Sequence, residues 1–122
     1  MMFQKKELEI AEIQGDEGTK IRQYFSPENT GDKINYSLAQ FTIEPEKKSK
    51  LHKISSSEIY YILEGQGEIT IDNIIFKLTK NDSIFVPPGA KQFVRNTSGK
   101  EDLKFLCIVY PPWTKKEEKI LE

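Results

Sequence analysis

From Glu58 onward the chain is a series of short β-branched and aromatic runs, each closed by turn residues within about eight to twelve positions. Glu58 to Leu63 reads EIYYIL and is followed by Glu64-Gly65-Gln66-Gly67, a tight turn that sends Glu68 to Ile71 back as a strand. Asp72-Asn73 turns the chain again, and Ile74 to Leu78 pairs with what precedes it. Lys80-Asn81-Asp82, Pro87-Pro88-Gly89 and Asn96-Thr97-Ser98-Gly99 then punctuate three more strands: Ser83 to Val86, Lys91 to Arg95, and the most apolar, Leu103 to Tyr110. Runs this short cannot carry helical periodicity. They predict an all-β fold, an antiparallel sandwich or barrel.

Upstream, Thr19 to Phe25 alternates and reads as a strand. Ser26 to Asp32 is a loop, and Ile34 to Ile43 is a second strand stopped by Glu44-Pro45-Glu46. Residues 1–18 read as an arm or edge strand and 19–113 as the barrel. In 114–122, Thr114 is placed to cap a short helix running to Leu121, with Glu117 at the capping-box position. No Gly-rich phosphate loop and no strand–helix alternation is visible, which counts against a dinucleotide fold.

At 122 residues there is room for one core. Acids and bases are mixed along the chain and the formal net charge is −1, so no basic stripe recommends nucleic acid. No apolar run approaches the roughly 18 residues of a membrane span. The N-terminus lacks the apolar stretch of a secretory signal. Cys107 is the single cysteine and cannot form an internal disulfide. The expected compartment is the cytoplasm.

Two stretches carry a family pattern. In Glu46 to Gly65, His52 is followed two residues later by Ile54, then by Glu58 and finally Gly65. In Asn81 to Asn96, Pro87 and Gly89 precede Gln92 and Asn96. Both resemble the two cupin motifs in order and spacing, so the chain is similar to a small single-domain cupin. The resemblance implies a double-stranded β-helix, or jelly-roll barrel, over roughly residues 19 to 113. In the first motif Glu46 stands in the place of the opening Gly, His52 of the first His and Ile54 of the second, while Glu58 and Gly65 fit. In the second, Asn81 replaces Gly and Gln92 stands where a His belongs, while Pro87, Gly89 and Asn96 fit.

The resemblance implies a divalent transition metal (Mn, Fe, Ni or Zn) held by a reduced set, His52, Glu58 and Gln92. Ile54 and Tyr60 would line a substrate pocket, and Glu58 is the candidate catalytic carboxylate. Imidazole suits such metals, and a carboxylate inside a barrel is costly unless it is coordinated or hydrogen-bonded. Alternation puts Glu58, Tyr60 and Ile62 on one strand face and Ile59, Tyr61 and Leu63 on the other. Gln40 is a further candidate to face the barrel, Arg95 is expected outside, and Trp113 is expected to seal the barrel bottom or a dimer contact. Cys107 is expected to be buried and inert.

Two function classes stay open. One is a metal-dependent, isomerase-like protein acting on a sugar or small organic acid, given that phosphomannose isomerases also mix Gln, His and Glu at their metal. The other is a metal-free small-molecule or carbohydrate-binding module, or a structural dimer with a vestigial site. A homodimer is expected because Ile59, Tyr61 and Leu63 need cover.

Overall fold

The computed structural model describes residues 3–122. Eleven strands run in chain order: β1 (Ile13–Gln14), β2 (Lys20–Phe25), β3 (Ser37–Ile43), β4 (His52–Ile54), β5 (Ser57–Glu64), β6 (Gln66–Ile71), β7 (Ile74–Thr79), β8 (Ser83–Val86), β9 (Gln92–Asn96), β10 (Leu103–Tyr110) and β11 (Glu118–Ile120). They form two antiparallel sheets, one ordered β1-β2-β3-β10-β5-β8 and the other β11-β4-β9-β6-β7. No helix of the described residues is long and apolar enough to cross a membrane.

The apolar strand β10 lies between β3 and β5 and sends Leu103, Phe105, Cys107 and Val109 inward. On β5, Glu58, Tyr60 and Ile62 are buried while Ile59 and Tyr61 are exposed, as strand alternation requires. From the facing sheet come Ile69, Ile71, Leu78 and Val94, and the two inner faces together make one core.

Four positions where the motifs call for glycine share one backbone state. Glu46 (φ 65°), Gly65 (φ 86°), Asn81 (φ 74°) and Gly89 (φ 78°) are all left-handed. The motif thus survives here as a backbone conformation even where the glycine is gone. Asn tolerates that state readily, whereas Glu adopts it at a cost of about 1–2 kcal/mol. Glu46 is held in place by its N–H, which donates to the Ser98 carbonyl at 3.1 Å. Asn96 is fully buried and acts as a brace. Its amide donates to the carbonyls of Ile43 (2.9 Å) and Glu101 (2.8 Å), and its side-chain oxygen accepts from the Ser98 N–H (2.8 Å).

Two local readings are corrected. The turn at Gly65 does not fold β6 back onto β5; it carries the chain from one sheet to the other. A Cβ at Gly65 would lie 2.5 Å from the Asp102 carbonyl oxygen, so the corner admits no side chain. The expected C-terminal helix is a single 3-10 turn at Lys115–Glu117, and Thr114 makes no side-chain cap. The chain then continues as β11, which pairs Glu118 with Ile54 and Ile120 with His52. Three ladder pairs with β4 hold this segment extended, which outweighs the capping signal. By contrast, Asp72-Asn73 is the two-residue turn that the sequence suggests: both residues have positive φ, and Ile71 faces Ile74 across it.

Candidate functional site

Three strands deliver the motif side chains to one end of the barrel. His52 and Ile54 alternate with the outward Lys53 on β4, so both point inward. Gln92, the first residue of β9, is the direct cross-strand partner of His52. Glu58 and Tyr60 come from β5 in the facing sheet, and Cys107 on β10 lies opposite Tyr60.

Four of these side chains form a chain of hydrogen bonds. The Tyr60 hydroxyl donates to the Gln92 side-chain carbonyl, and the Gln92 amide donates to Glu58 Oε1. The Cys107 thiol donates to Glu58 Oε2 at 3.0 Å. Burial raises the Glu58 carboxyl above the ordinary carboxylate range. The bonds from Cys107 and Gln92 and the charge of His52 pull it back, and Glu17 adds to the rise. Burial, then the nearby Glu58, pushes both Tyr60 and Cys107 well above their usual values, so the thiol is no nucleophile.

His52 lies 2.7 Å from the Lys50 carbonyl through Nδ1, which therefore carries the hydrogen. In the neutral ring Nε2 is then an acceptor, and among the described residues it has no hydrogen-bond partner. The ring, 6% exposed, lines a cavity of about 940 Å³ that also touches Ile54, Glu58 and Tyr60. Gln92 is 1% exposed and does not reach the cavity wall; it stands behind Glu58 and Tyr60 and holds both.

The opposite wall is aromatic. Phe41, Phe105 and Tyr60 stack across β3, β10 and β5, with centroids 5.5 Å and 5.0 Å apart and planes within 8°. Gln40 does not face the cavity. It alternates away from Ala39 and Phe41, and its amide donates to Glu7 of the N-terminal arm at 2.8 Å. Arg95 is exposed, and Trp113 lies at the cavity rim.

Two carboxylates at this cavity carry no motif signature. Glu17, between β1 and β2, is buried and accepts a hydrogen bond from the Thr19 hydroxyl. Glu118 on β11 shares the inner face with its partner Ile54 and also lines the cavity. Its carboxyl is raised to about 7, chiefly by burial and then by Glu17, with His52 opposing and Glu58 and Asp16 adding. Only the long-range register of β11 brings Glu118 here, so nothing local in the sequence marks it.

A divalent transition metal asks for three or more well-placed N, O or S donors. Among the described residues no three His, Cys, Asp or Glu side chains come together for one. Each oxygen of Glu58 already accepts a hydrogen bond, from Gln92 and from Cys107, and the Gln92 carbonyl accepts one from Tyr60. Of the three motif residues only His52 keeps an unpartnered donor atom, Nε2, so the motif set does not fit a tightly held ion.

Residues 39–109 match the cupin domain family. The chain belongs to the cupin family. This cupin is 40% identical over 107 residues to an uncharacterized protein of Methanocaldococcus jannaschii, covering 87% of this chain and 84% of that one. It is 26% identical over 92 residues to a putative mannose-1-phosphate guanylyltransferase of Vibrio cholerae, covering 71% of this chain but 20% of the relative. Among solved structures, a cupin-2 domain from Rhodospirillum rubrum superposes with a TM-score of 0.79 at 18% identity, covering all of this cupin and 82% of that chain. A predicted oxalate decarboxylase from Thermotoga maritima superposes with a TM-score of 0.72 at 26% identity, covering 85% and 95%.

Proposed function

We propose that this cupin is a small-molecule-binding domain whose ligand lodges in the barrel without a resident metal. One observation carries the reading: at the metal-motif positions Glu58 and Gln92 bond to each other and to Cys107 and Tyr60, while His52 bonds to neither of them. What faces the cavity is the mixture a small ligand needs, a stacked aromatic wall with a few convergent polar groups. The volume of about 940 Å³ lies in the range of such sites. Glu58 then serves as a fixed acceptor within the wall. Acid–base work by it would first require Gln92 or Cys107 to let go.

The test is ligand-observed NMR with a fragment library on the parent and on two cavity-filling variants, Ala39→Trp and Ile54→Phe. Fragments that bind the folded parent and are lost in the filled variants support the reading. A parent that binds nothing, or fragments indifferent to filling, would sink it.

A further inference from the structure

The names of two relatives point to anionic ligands, a hexose phosphate and oxalate. The charge lining this cavity points the other way. Glu17, Glu58 and Glu118 all line it. None of the three has an ion-pair partner among the described residues, where every cation in an ion pair is spent on another acid. The charges that act most strongly on Glu58 are those of His52 and Glu17, and on Glu118 those of Glu17, His52, Glu58 and Asp16. Lys115 at the rim is exposed and pairs with Asp16 at 3.7 Å, and the other lining lysines, Lys5 and Lys116, sit on the arm and the tail.

A second feature, independent of the carboxylates, asks for a donor. His52 is more than nine-tenths buried and lines the cavity, and its Nε2 accepts from no described residue. The bond from Nδ1 to the Lys50 carbonyl fixes that tautomer. An acceptor open to the cavity is completed by an N–H or O–H, from water or from a ligand that displaces it. Across the cavity the rings of Phe41 and Phe105 offer an apolar bed whose faces also attract positive charge.

We propose that the ligand of this cupin carries a protonated amine, seated between His52 Nε2 and the carboxylates of Glu17 and Glu118, with its apolar body against Phe41 and Phe105. This deepens the small-molecule reading and rests on it. An ammonium group is a donor that Nε2 and carboxylate oxygens both accept, and its charge neutralises like charges that otherwise repel inside a weakly polarisable wall. An anionic ligand beside these carboxylates adds to the repulsion.

The test uses three probes that share one ring and differ in head charge: benzylamine, benzyl alcohol and benzoate. Each is titrated calorimetrically into the full chain at about pH 8, above the value of about 7 at which Glu118 ionises. The amine is expected to bind about tenfold or more tightly than benzoate. Glu118→Gln and Glu17→Gln should each weaken the amine several-fold and leave the alcohol unchanged. Glu118 lies on a short edge strand, so its variant keeps the test decisive even if Glu17→Gln, at a buried site bonded to Thr19, fails to fold. Benzoate binding as well as the amine, or amine affinity indifferent to Glu118→Gln, overturns the charge assignment and leaves the pocket reading standing. Failure of all three probes to bind overturns both.

Discussion

Gln92 reaches from one sheet to hold Glu58 on the other: its amide donates to Glu58 Oε1 while its carbonyl accepts from Tyr60. The bond ties the two motif strands across the barrel interior. A glutamine serves here where the family pattern has a histidine because it can donate to a carboxylate and accept from a phenol at the same time.

Gln92→Leu should therefore destabilise the fold rather than merely alter a pocket. The substitution keeps the bulk but strands a phenol and a carboxylate oxygen in a buried site, which costs about 1–3 kcal/mol. Urea unfolding should show a lower midpoint with an unchanged slope. A variant as stable as the parent would mean that water replaces both bonds.

Glu118 should make stability fall as pH rises. Its folded carboxyl is raised to about 7 from an ordinary value of 4.5, so the folded state holds the proton more tightly than the unfolded chain does. The contribution is complete below about 4.5 and is lost as pH climbs through about 7. Thermal melts of the parent and Glu118→Gln across this window should show a flatter profile for the variant. Parallel profiles would remove Glu118 as the cause.

Metal binding should be weak in the parent and restored by a single change. Ile54 faces inward two residues after His52, so Ile54→His places a second imidazole on the same strand face. Calorimetric titrations with manganese, nickel and zinc are expected to show no tight complex for the parent and about tenfold or more tighter binding for the variant. Tight binding by the parent that disappears in His52→Ala would reinstate the metal centre.

The outer face of the six-stranded sheet carries Ile59, Tyr61, Phe85, Ile108 and Tyr110, all exposed. Ladder pairing joins them into one patch, with Ile59 opposite both Phe85 and Ile108. A twofold dimer through this face is expected. Light scattering should give twice the 14.1 kDa chain mass, and Ile108→Glu should halve it. A parent of one chain mass at micromolar concentration would contradict the expectation.

Much of this was legible in local pattern. Leu103 to Tyr110 reads as a strand and is β10 to the residue, because a period of two over eight residues leaves no other face to bury. The neighbours of Glu58 announce its inward register in the same way. What stayed hidden depends on pairing at a distance. A glycine at 65 says that the chain bends, not that it changes sheets. Nothing around Glu118 tells that it will stand opposite Ile54, more than sixty residues away in sequence. Gln40 looked equally able to face either side until the arm residue Glu7 supplied its partner.

The glycines finally mark where sequence drift must stop. In a saturation library, Gly65 and Gly67 should return almost nothing else, since a side chain at either would collide with a backbone carbonyl, that of Asp102 at 2.5 Å and that of Arg95 at 2.4 Å. Gly89 has equally unusual dihedrals but open space around it, so asparagine should be recovered there, as it already stands at position 81. Crowding and handedness are separate constraints: the first alone holds Gly67, the second alone holds Gly89, and both hold Gly65 at the barrel's corner.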